Sequence, residues 1–194
     1  MAKTKPTTIR PAGGAPALGL RRGEVRLVRH QCGWPEAFAR ERRRLERLLG
    51  PGALAIEHVG STAVAGLAAK PVVDIAIAVG SLDGAGAWAG ALGSAGYTAF
   101  GDREGRGEHF YAKGPEGSRT VYLHVVPLRS RNWSNYLGFR DALRSSAPLR
   151  RRYEELKRRL SALHPRDRGA YTEAKAEFIR GVLGEATRRC AATR

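Results

Sequence analysis

The stretch Ile56-Glu57-His58-Val59-Gly60-Ser61-Thr62, followed by Lys70-Pro71-Val72-Val73-Asp74-Ile75, decides the fold. Its first part predicts a strand over 54–59 that ends in a Gly-Ser turn. Its second part opens the most Val/Ile-rich strand of the chain, predicted over 71–79. On that strand Asp74 is the one acid in an otherwise apolar run. Because a buried carboxylate is costly without a partner, Asp74 indicates a metal ion or a basic neighbour.

The Gly60-Ser61 turn has the residue types of a phosphate-binding loop. Glycine lets the backbone approach a ligand closely, and serine adds a hydroxyl beside backbone N–H groups. Lys70 adds a positive charge nearby in the sequence. The alternative at this stage is a plain turn that ends a strand.

Hydrophobic patterning predicts an α/β or α+β fold, in which mixed strands and helices are followed by a helical C-terminal part. We expect a flexible basic tail over 1–23, a core over 24–130 and a helical part of the same domain over 131–190. The remaining strands are predicted over 97–100, 109–112 and 120–126. The helices are predicted over 34–49, 82–95, 133–144, 149–163 and 170–189.

The composition excludes several classes of protein. With 194 residues, 42% of them hydrophobic, the chain is long enough to bury a core without disulfides or metals. It has no apolar run long enough to span a bilayer. Cys32 and Cys190 lie too far apart in sequence for a zinc motif, so we expect a reducing, cytoplasmic location. The net charge of +16, carried mostly by arginine, predicts polyanionic partners: nucleotides, nucleic acid or acidic surfaces.

The strings Glu57-His58-Val59-Gly60-Ser61-Thr62-Ala63-Val64, Gly66-Leu67-Ala68-Ala69-Lys70-Pro71 and Val72-Val73-Asp74-Ile75 resemble the GrpB family, which itself looks like the polymerase-beta-type nucleotidyltransferases. The segment Tyr122-Leu123-His124-Val125-Val126 is similar to a later family strand, and residues of the C-terminal helices match as well. The resemblance covers about residues 24–184. It implies a nucleotidyltransferase-like mixed sheet flanked by helices, with a C-terminal helical extension.

The resemblance also implies a function. The protein would bind a nucleoside triphosphate with a divalent metal, Mg²⁺ or Mn²⁺, and transfer the nucleotidyl group to a small acceptor. An acceptor carboxylate activated in this way and passed to an amine would make the protein a ligase. Catalytic roles would fall to Asp74, Glu57 and His124, and Asp74 and His124 would hold the metal. The nucleotide would be bound by Gly60, Ser61, Thr62, Lys70, Arg140, Lys157 and Lys175.

The chain also departs from the family pattern. Ala76 stands where a second strand acid is usual, and the predicted strand over 120–126 offers no third acid. Tyr122 replaces a frequent histidine, and Ala65 replaces a proline. Two other functions therefore stay open: a ligand-binding module that has lost catalysis, and a basic nucleic-acid-binding protein.

Several residues also have a purely structural interpretation. His58 fits an ordinary half-buried strand histidine, and Asp74 fits a salt bridge to an arginine. The basic runs 150–152 and 157–159 fit a solvated helix face, apart from Lys157, which lies at a family-matching position.

Overall fold

The computed structural model describes residues 17–102 and 105–192, with side chains described up to residue 185. The helices are α1 (Trp34–Leu49), α2 (Leu82–Ala85), α3 (Ala89–Ser94), α4 (Arg131–Ser145), α5 (Ala147–Leu163), α6 (Arg168–Glu173) and α7 (Ala176–Ala192). The strands are β1 (Ala55–Val59), β2 (Val73–Val79), β3 (Tyr97–Asp102), β4 (His109–Lys113) and β5 (Val121–Pro127).

The five strands form one mixed sheet in the order β1-β2-β5-β4-β3. β2 runs parallel to β5, and the other neighbouring pairs are antiparallel. Helices cover both faces of this sheet, so the predicted α/β fold class, a mixed sheet flanked by helices with a helical C-terminal part, is confirmed. No helix in the described part of the chain combines the length and apolar character needed to cross a bilayer.

Strand alternation on β2 divides the molecule into two layers. Ile75 and Ile77 are fully buried against α1 in the main hydrophobic core. Ala76 and Ala78 face the other way and pack against Trp133 of α4. Since side chains alternate along a strand, Asp74 shares this second face, where α4 and the helices that follow it lie. The sheet thus separates an arginine-rich α1 from the side that carries Asp74.

Three predicted segments differ from the structure. The helix predicted over 82–95 is two short helices joined by a 3-10 turn, because its four glycines lower helix propensity. The helix predicted over 170–189 is interrupted between Glu173 and Ala176, which places Lys175 in the interruption. Residues 1–16 of the predicted tail lie outside the described residues, but Leu20 is only 2% exposed and bridges to Arg119, so the end of that segment belongs to the folded domain.

Candidate functional site

The Gly60-Ser61 turn lies directly against the Asp74 carboxylate. β1 pairs with β2 so that Val59 stands opposite Asp74, and the chain then turns at Gly60 with φ 68° and ψ −169°. A Cβ atom built on Gly60 would lie 2.6 Å from Asp74 Oδ2 and 3.1 Å from its Cβ. The backbone conformation is one that only glycine adopts readily. Glycine is therefore required here both by conformation and by the close approach to Asp74.

Gly60→Ala is expected to lower the free energy of unfolding by about 3 kcal/mol, because strain at this φ adds to a clash with Asp74. Gly66→Ala is the matched control: Gly66 also has a positive φ, 77°, but nothing lies within 4 Å of its Cβ position. It is expected to cost only about 1 kcal/mol. Urea unfolding of both variants measures the difference, and equal losses would mean that contact with Asp74 is unimportant.

Lys157 reaches this turn from α5. It is only 2% exposed, and its Nζ donates to Ser61 Oγ at 3.2 Å and to the carbonyl oxygen of Ala68. Burial, together with the positive charge of Lys175, lowers the pKa of Lys157 to about 7. A buried ammonium on the serine of the turn is well placed to bind an anion that reaches Ser61.

Three more basic side chains, Lys70, Arg168 and Lys175, lie near the Asp74 carboxylate. Lys175 Nζ and Lys70 Nζ lie 4.2 Å and 5.4 Å from the centroid of the Tyr171 ring. Arg168 stacks over the Tyr122 ring at 4.4 Å and donates to its hydroxyl. Burial lowers the pKa of Lys175 to about 8 and that of Lys70 well below its usual value, with neighbouring cations adding to both effects.

We call Lys70, Lys157, Arg168 and Lys175 the cationic cluster. Burial opposes ionisation of Asp74, yet the nearby His124 ring and the charges of Lys70 and Arg168 hold its pKa below the usual range. Among the ion pairs of the described residues, none joins a member of the cluster to a carboxylate within 4.0 Å. Four basic side chains thus converge on one carboxylate and the adjoining Ser61 without a carboxylate ion pair of their own, an arrangement that an anionic ligand would complete.

His124 lies between two carboxylates on the same face of the sheet. Its Nε2 is 3.8 Å from Asp74 Oδ1, and its Nδ1 is 3.4 Å from Glu108 Oε2 and 3.0 Å from the Tyr136 hydroxyl. Burial alone would lower the pKa of His124, but the two carboxylates outweigh it and raise the pKa to about 9. Both ring nitrogens thus face acids, an arrangement that favours the protonated ring.

Glu108 is the site residue that the sequence analysis missed. It is 8% exposed, immediately precedes β4, and accepts a 2.5 Å hydrogen bond from Tyr136. A third acid was expected only on the predicted strand over 120–126, which is β5. Glu108 instead immediately precedes the neighbouring strand, β4. Strand alternation could have indicated it. Glu108 is two residues before Phe110 and so shares its face of the sheet, and the Cα partner of Phe110 on β5 is His124.

The structure places Arg140 in a structural ion pair. Its guanidinium lies 2.7 Å from Glu57 Oε2 and 2.7 Å from Asp141 Oδ1, and it also donates to the His58 carbonyl oxygen at 3.1 Å. These contacts tie α4 to β1, and they engage the donors that were predicted to bind phosphate. Glu57, predicted to be catalytic, is the partner in this pair.

Arg140→Met is expected to lower the free energy of unfolding by about 2 kcal/mol and to leave anion binding within twofold of the parent protein. The loss is smaller than for a fully buried pair because the Glu57 and Asp141 side chains are 39% and 55% exposed. Thermal or urea unfolding, combined with triphosphate titration, checks both parts. A tenfold loss of affinity with unchanged stability would instead assign Arg140 to the ligand.

Thr62 faces away from the cationic cluster. Its hydroxyl lies 3.0 Å from His58 Nε2, and Thr62 itself is 1% exposed. His58 stacks on Phe38 of α1 with ring centroids 4.7 Å apart. Burial lowers the pKa of His58 to about 4, so it is a neutral core histidine, as its structural interpretation predicted. Thr62 therefore offers its backbone, and not its hydroxyl, to a ligand near Ser61.

The side chains present fit a divalent metal only in part. Within the described part of the chain, no three His, Cys, Asp or Glu side chains are grouped so that they could hold a metal ion. Of the two predicted ligands, Asp74 offers the carboxylate oxygens that Mg²⁺ and Mn²⁺ prefer, whereas the imidazole of His124 suits zinc, nickel or copper better. This set suits Mg²⁺ or Mn²⁺ bound together with substrate phosphates, because such ions commonly take only one or two protein carboxylates.

Comparison with known proteins gives a consistent result. The profile of the family described as GrpB protein matches residues 24–185. The chain is 34% identical over 172 residues to the glutamate-rich protein GrpB of Alkalihalophilus pseudofirmus, covering 87% of this chain and 99% of that protein. It is 42% identical over 154 residues to a UPF0157 protein of Deinococcus radiodurans, covering 79% of this chain and 77% of that one. The crystal structure of conserved protein GrpB from Enterococcus faecalis superposes with a TM-score of 0.78 at 29% identity, covering 84% of this chain and 98% of that one.

Proposed function

The chain belongs to the GrpB family, and we propose that it binds the polyphosphate of a nucleoside triphosphate at the cationic cluster and transfers the nucleotidyl group to a small acceptor. The observation that carries this proposal is the convergence of the four basic side chains of the cationic cluster on the Ser61 turn and Asp74. The placement among polymerase-beta-type nucleotidyltransferases belongs to the same proposal and rests on the Gly-Ser turn beside a strand carboxylate.

The phosphates would occupy the space that the turn and the cluster share. Lys157 and Ser61 form one end of it, since they are already hydrogen-bonded to each other. Lys175 and Lys70 approach from the Tyr171 side, and Arg168 approaches from the Tyr122 side. Basic side chains that converge from three sides suit a chain of phosphates better than a single phosphate, because a chain carries several separated charges.

Asp74 would hold the divalent cation together with the phosphates, and that cation would neutralise charge on the transferred group. In the transfer itself, an acceptor oxygen bonds to the α-phosphorus, the bond from that phosphorus to the bridging oxygen breaks, and pyrophosphate leaves. The lysines of the cluster stabilise the negative charge that builds up on the departing pyrophosphate.

The acceptor class follows from the surroundings of His124. A general base must be free to take a proton from the acceptor, and the ring nitrogens of His124 already face Asp74, Glu108 and the Tyr136 hydroxyl. An acceptor that is already anionic, such as a carboxylate, needs no base, and its attack would give an acyl-adenylate-type anhydride. This chemistry is consistent with an adenylating enzyme that passes the acyl group to an amine in a later step.

The direct test is a pyrophosphate-release assay with each nucleoside triphosphate, Mg²⁺ or Mn²⁺, and a panel of carboxylate acceptors. Release that depends on the nucleotide, the metal and one acceptor class is the expected result. The absence of both release and measurable triphosphate binding would overturn the proposal.

A second function is favoured by one observation. Ala76 is fully buried at the position where superfamily enzymes usually carry a second acid. A protein that keeps the cationic cluster but lacks that acid would bind nucleotides without transferring them. Nucleotide affinity that is the same with EDTA and with Mg²⁺, together with no pyrophosphate release, would identify this module.

Binding of a nucleoside triphosphate to the cationic cluster is expected to weaken with rising pH, by at least about tenfold between pH 7 and 9.5. Lys157 and Lys175 have pKa values lowered to about 7 and 8, so they lose their charge over this range. A bound anion favours the charged lysines and moves the change toward higher pH, but its sign stays the same. The terminal phosphate of a nucleoside triphosphate does not reverse the trend, because its second ionisation is largely complete at pH 7 and above. Calorimetric titration of a nucleoside triphosphate in EDTA across this range checks the prediction, which pH-independent affinity would contradict.

A further inference from the structure

α5 presents two chemically different faces. Tyr153, Lys157 and Leu160 point inward and are buried. The outer face carries four exposed arginines, namely Arg151, Arg152, Arg158 and Arg159. The cationic cluster uses only the inward lysine of this helix, so it does not account for the outer arginines.

Two grooves follow the outer face. One, of about 600 Å³, lies between α5 and α7 and is lined by Arg152, Glu155, Leu156, Arg158, Arg159 and Phe178. The other, of about 380 Å³, lies between α5 and the segment from Ala65 to Leu67, and Arg150, Arg151 and Arg158 are among its lining residues. The larger groove combines arginines with an aromatic ring, and the Arg152 guanidinium lies 5.8 Å from the centroid of Phe178.

The spacing of the arginines suits a polymer of phosphates. The pairs 151–152 and 158–159 are seven residues apart, which is about 10 Å along a helix. Phosphates of an extended single strand lie farther apart than the rise of about 3.4 Å per strand in a duplex, so arginine pairs about 10 Å apart match phosphates one or two nucleotides apart. Arginine also binds phosphate through two donors at once, which lysine does not.

We propose that the outer face of α5, with the groove between α5 and α7, binds single-stranded RNA. The arginines contact successive backbone phosphates, and a base stacks beside Phe178 and Leu156, as in known single-strand binding sites. An A-form duplex would not insert a base into such a groove. This site is separate from the nucleotide site and does not depend on nucleotidyl transfer.

Two carboxylates share this surface, and they differ in role. Glu154 accepts from Arg158 at 2.7 Å and from the Ala68 backbone N–H at 3.0 Å, so it is part of the fold. Glu155 is exposed and lines both grooves, where it would repel a phosphate backbone. Glu155→Gln should therefore tighten RNA binding about threefold.

The experiment measures the fluorescence anisotropy of a labelled oligouridylate 12-mer over a salt series. The test variant is Arg152→Glu with Arg159→Glu. The control is Arg43→Glu with Arg47→Glu on α1, which makes the same charge change at exposed sites on the opposite side of the sheet. We expect the affinity of the test variant to fall by at least about tenfold. The slope of log affinity against log salt concentration should become shallower by about 1.4, because two phosphate contacts are lost. The control should lose less than about threefold.

Three outcomes would overturn the proposal. Equal losses in the test and control variants would show that binding follows overall charge alone. A duplex that binds as tightly as the single strand would exclude the stacking groove. Displacement of the RNA by polyglutamate at an equal concentration of charge would instead assign the surface to an acidic protein. Both double variants should keep the unfolding midpoint of the parent protein, because all four substituted residues are exposed. This check ensures that folded proteins are compared.

Discussion

Asp74→Asn is expected to abolish metal-dependent pyrophosphate release, by at least about a hundredfold, while tightening the metal-free binding of inorganic triphosphate. Under the proposed function the two effects have opposite signs, because the carboxylate would have two roles. It would hold the divalent cation, and it is also the negative charge that an incoming phosphate would approach. Removing that charge next to Lys70 and Arg168 should raise metal-free affinity about tenfold, since the neighbouring cations then act on the anion alone.

Asp83→Asn is the control for the loss of one negative charge. Asp83 lies on α2, which packs on the opposite face of the sheet, and neither release nor affinity should change by more than twofold. Triphosphate affinity is measured by calorimetry in EDTA, and release by a coupled assay. If Asp74→Asn weakened metal-free binding, the carboxylate would be supporting the anion site and not opposing it.

Lys175→Met is expected to weaken triphosphate binding about thirtyfold and, at the same time, to stabilise the ligand-free protein. The affinity falls because a charge-assisted contact in a desolvated site is lost. Stability rises because a buried lysine without a carboxylate partner is costly to keep charged, and methionine fills similar space without that cost. We expect a gain of about 1 kcal/mol at pH 7, after the loss of the contact with the Tyr171 ring.

The pH dependence of this gain has a definite sign. Folding lowers the pKa of Lys175 from 10.5 to about 8, so the unfolded chain binds its proton more tightly. The reduction that Lys175 causes in the free energy of unfolding is therefore fully present below about pH 8 and disappears as the pH approaches 10.5. The advantage of the methionine variant should shrink over the same range, which urea unfolding at several pH values would detect.

Lys113→Met is the matched control, because Lys113 is a half-buried lysine that does have a carboxylate partner. Its Nζ lies 2.6 Å from both oxygens of Glu41, and its side chain is 18% exposed. Removing it leaves Glu41 without its ion pair, so stability should fall by about 2 kcal/mol and affinity should not change. If Lys175→Met also destabilised the protein and left affinity unchanged, Lys175 would be a structural residue like Lys113.

The central part of the site was predictable because it depends on local patterns. Strand alternation around Asp74 and the Gly-Ser break after Val59 correctly predicted two strands and the turn between them. Antiparallel pairing of those strands then brings the turn onto Asp74, as the residue types suggested. The mixed sheet with a helical C-terminal part followed from the order of the predicted elements.

The rest of the site depends on tertiary contacts that no local pattern shows. Lys157 sits in a basic run that fits a solvated face, and it was assigned to the nucleotide only because it lies at a family-matching position. Its contact with Ser61 depends on how α5 packs. Arg140 was grouped with the phosphate ligands, but α4 packs so that Glu57 and Asp141 take its donors. Arg168 was not among the predicted residues, because its approach to Tyr122 depends on where α6 docks.

The most direct test of the central claim is a crystal structure of the protein with a non-hydrolysable nucleoside triphosphate and Mn²⁺. We expect phosphate oxygens within hydrogen-bond distance of Ser61 Oγ and Lys157 Nζ, and an anomalous manganese peak at Asp74. A nucleotide bound instead in the arginine grooves on the outer face of α5, with Ser61 and Asp74 contacting only solvent, would contradict the account.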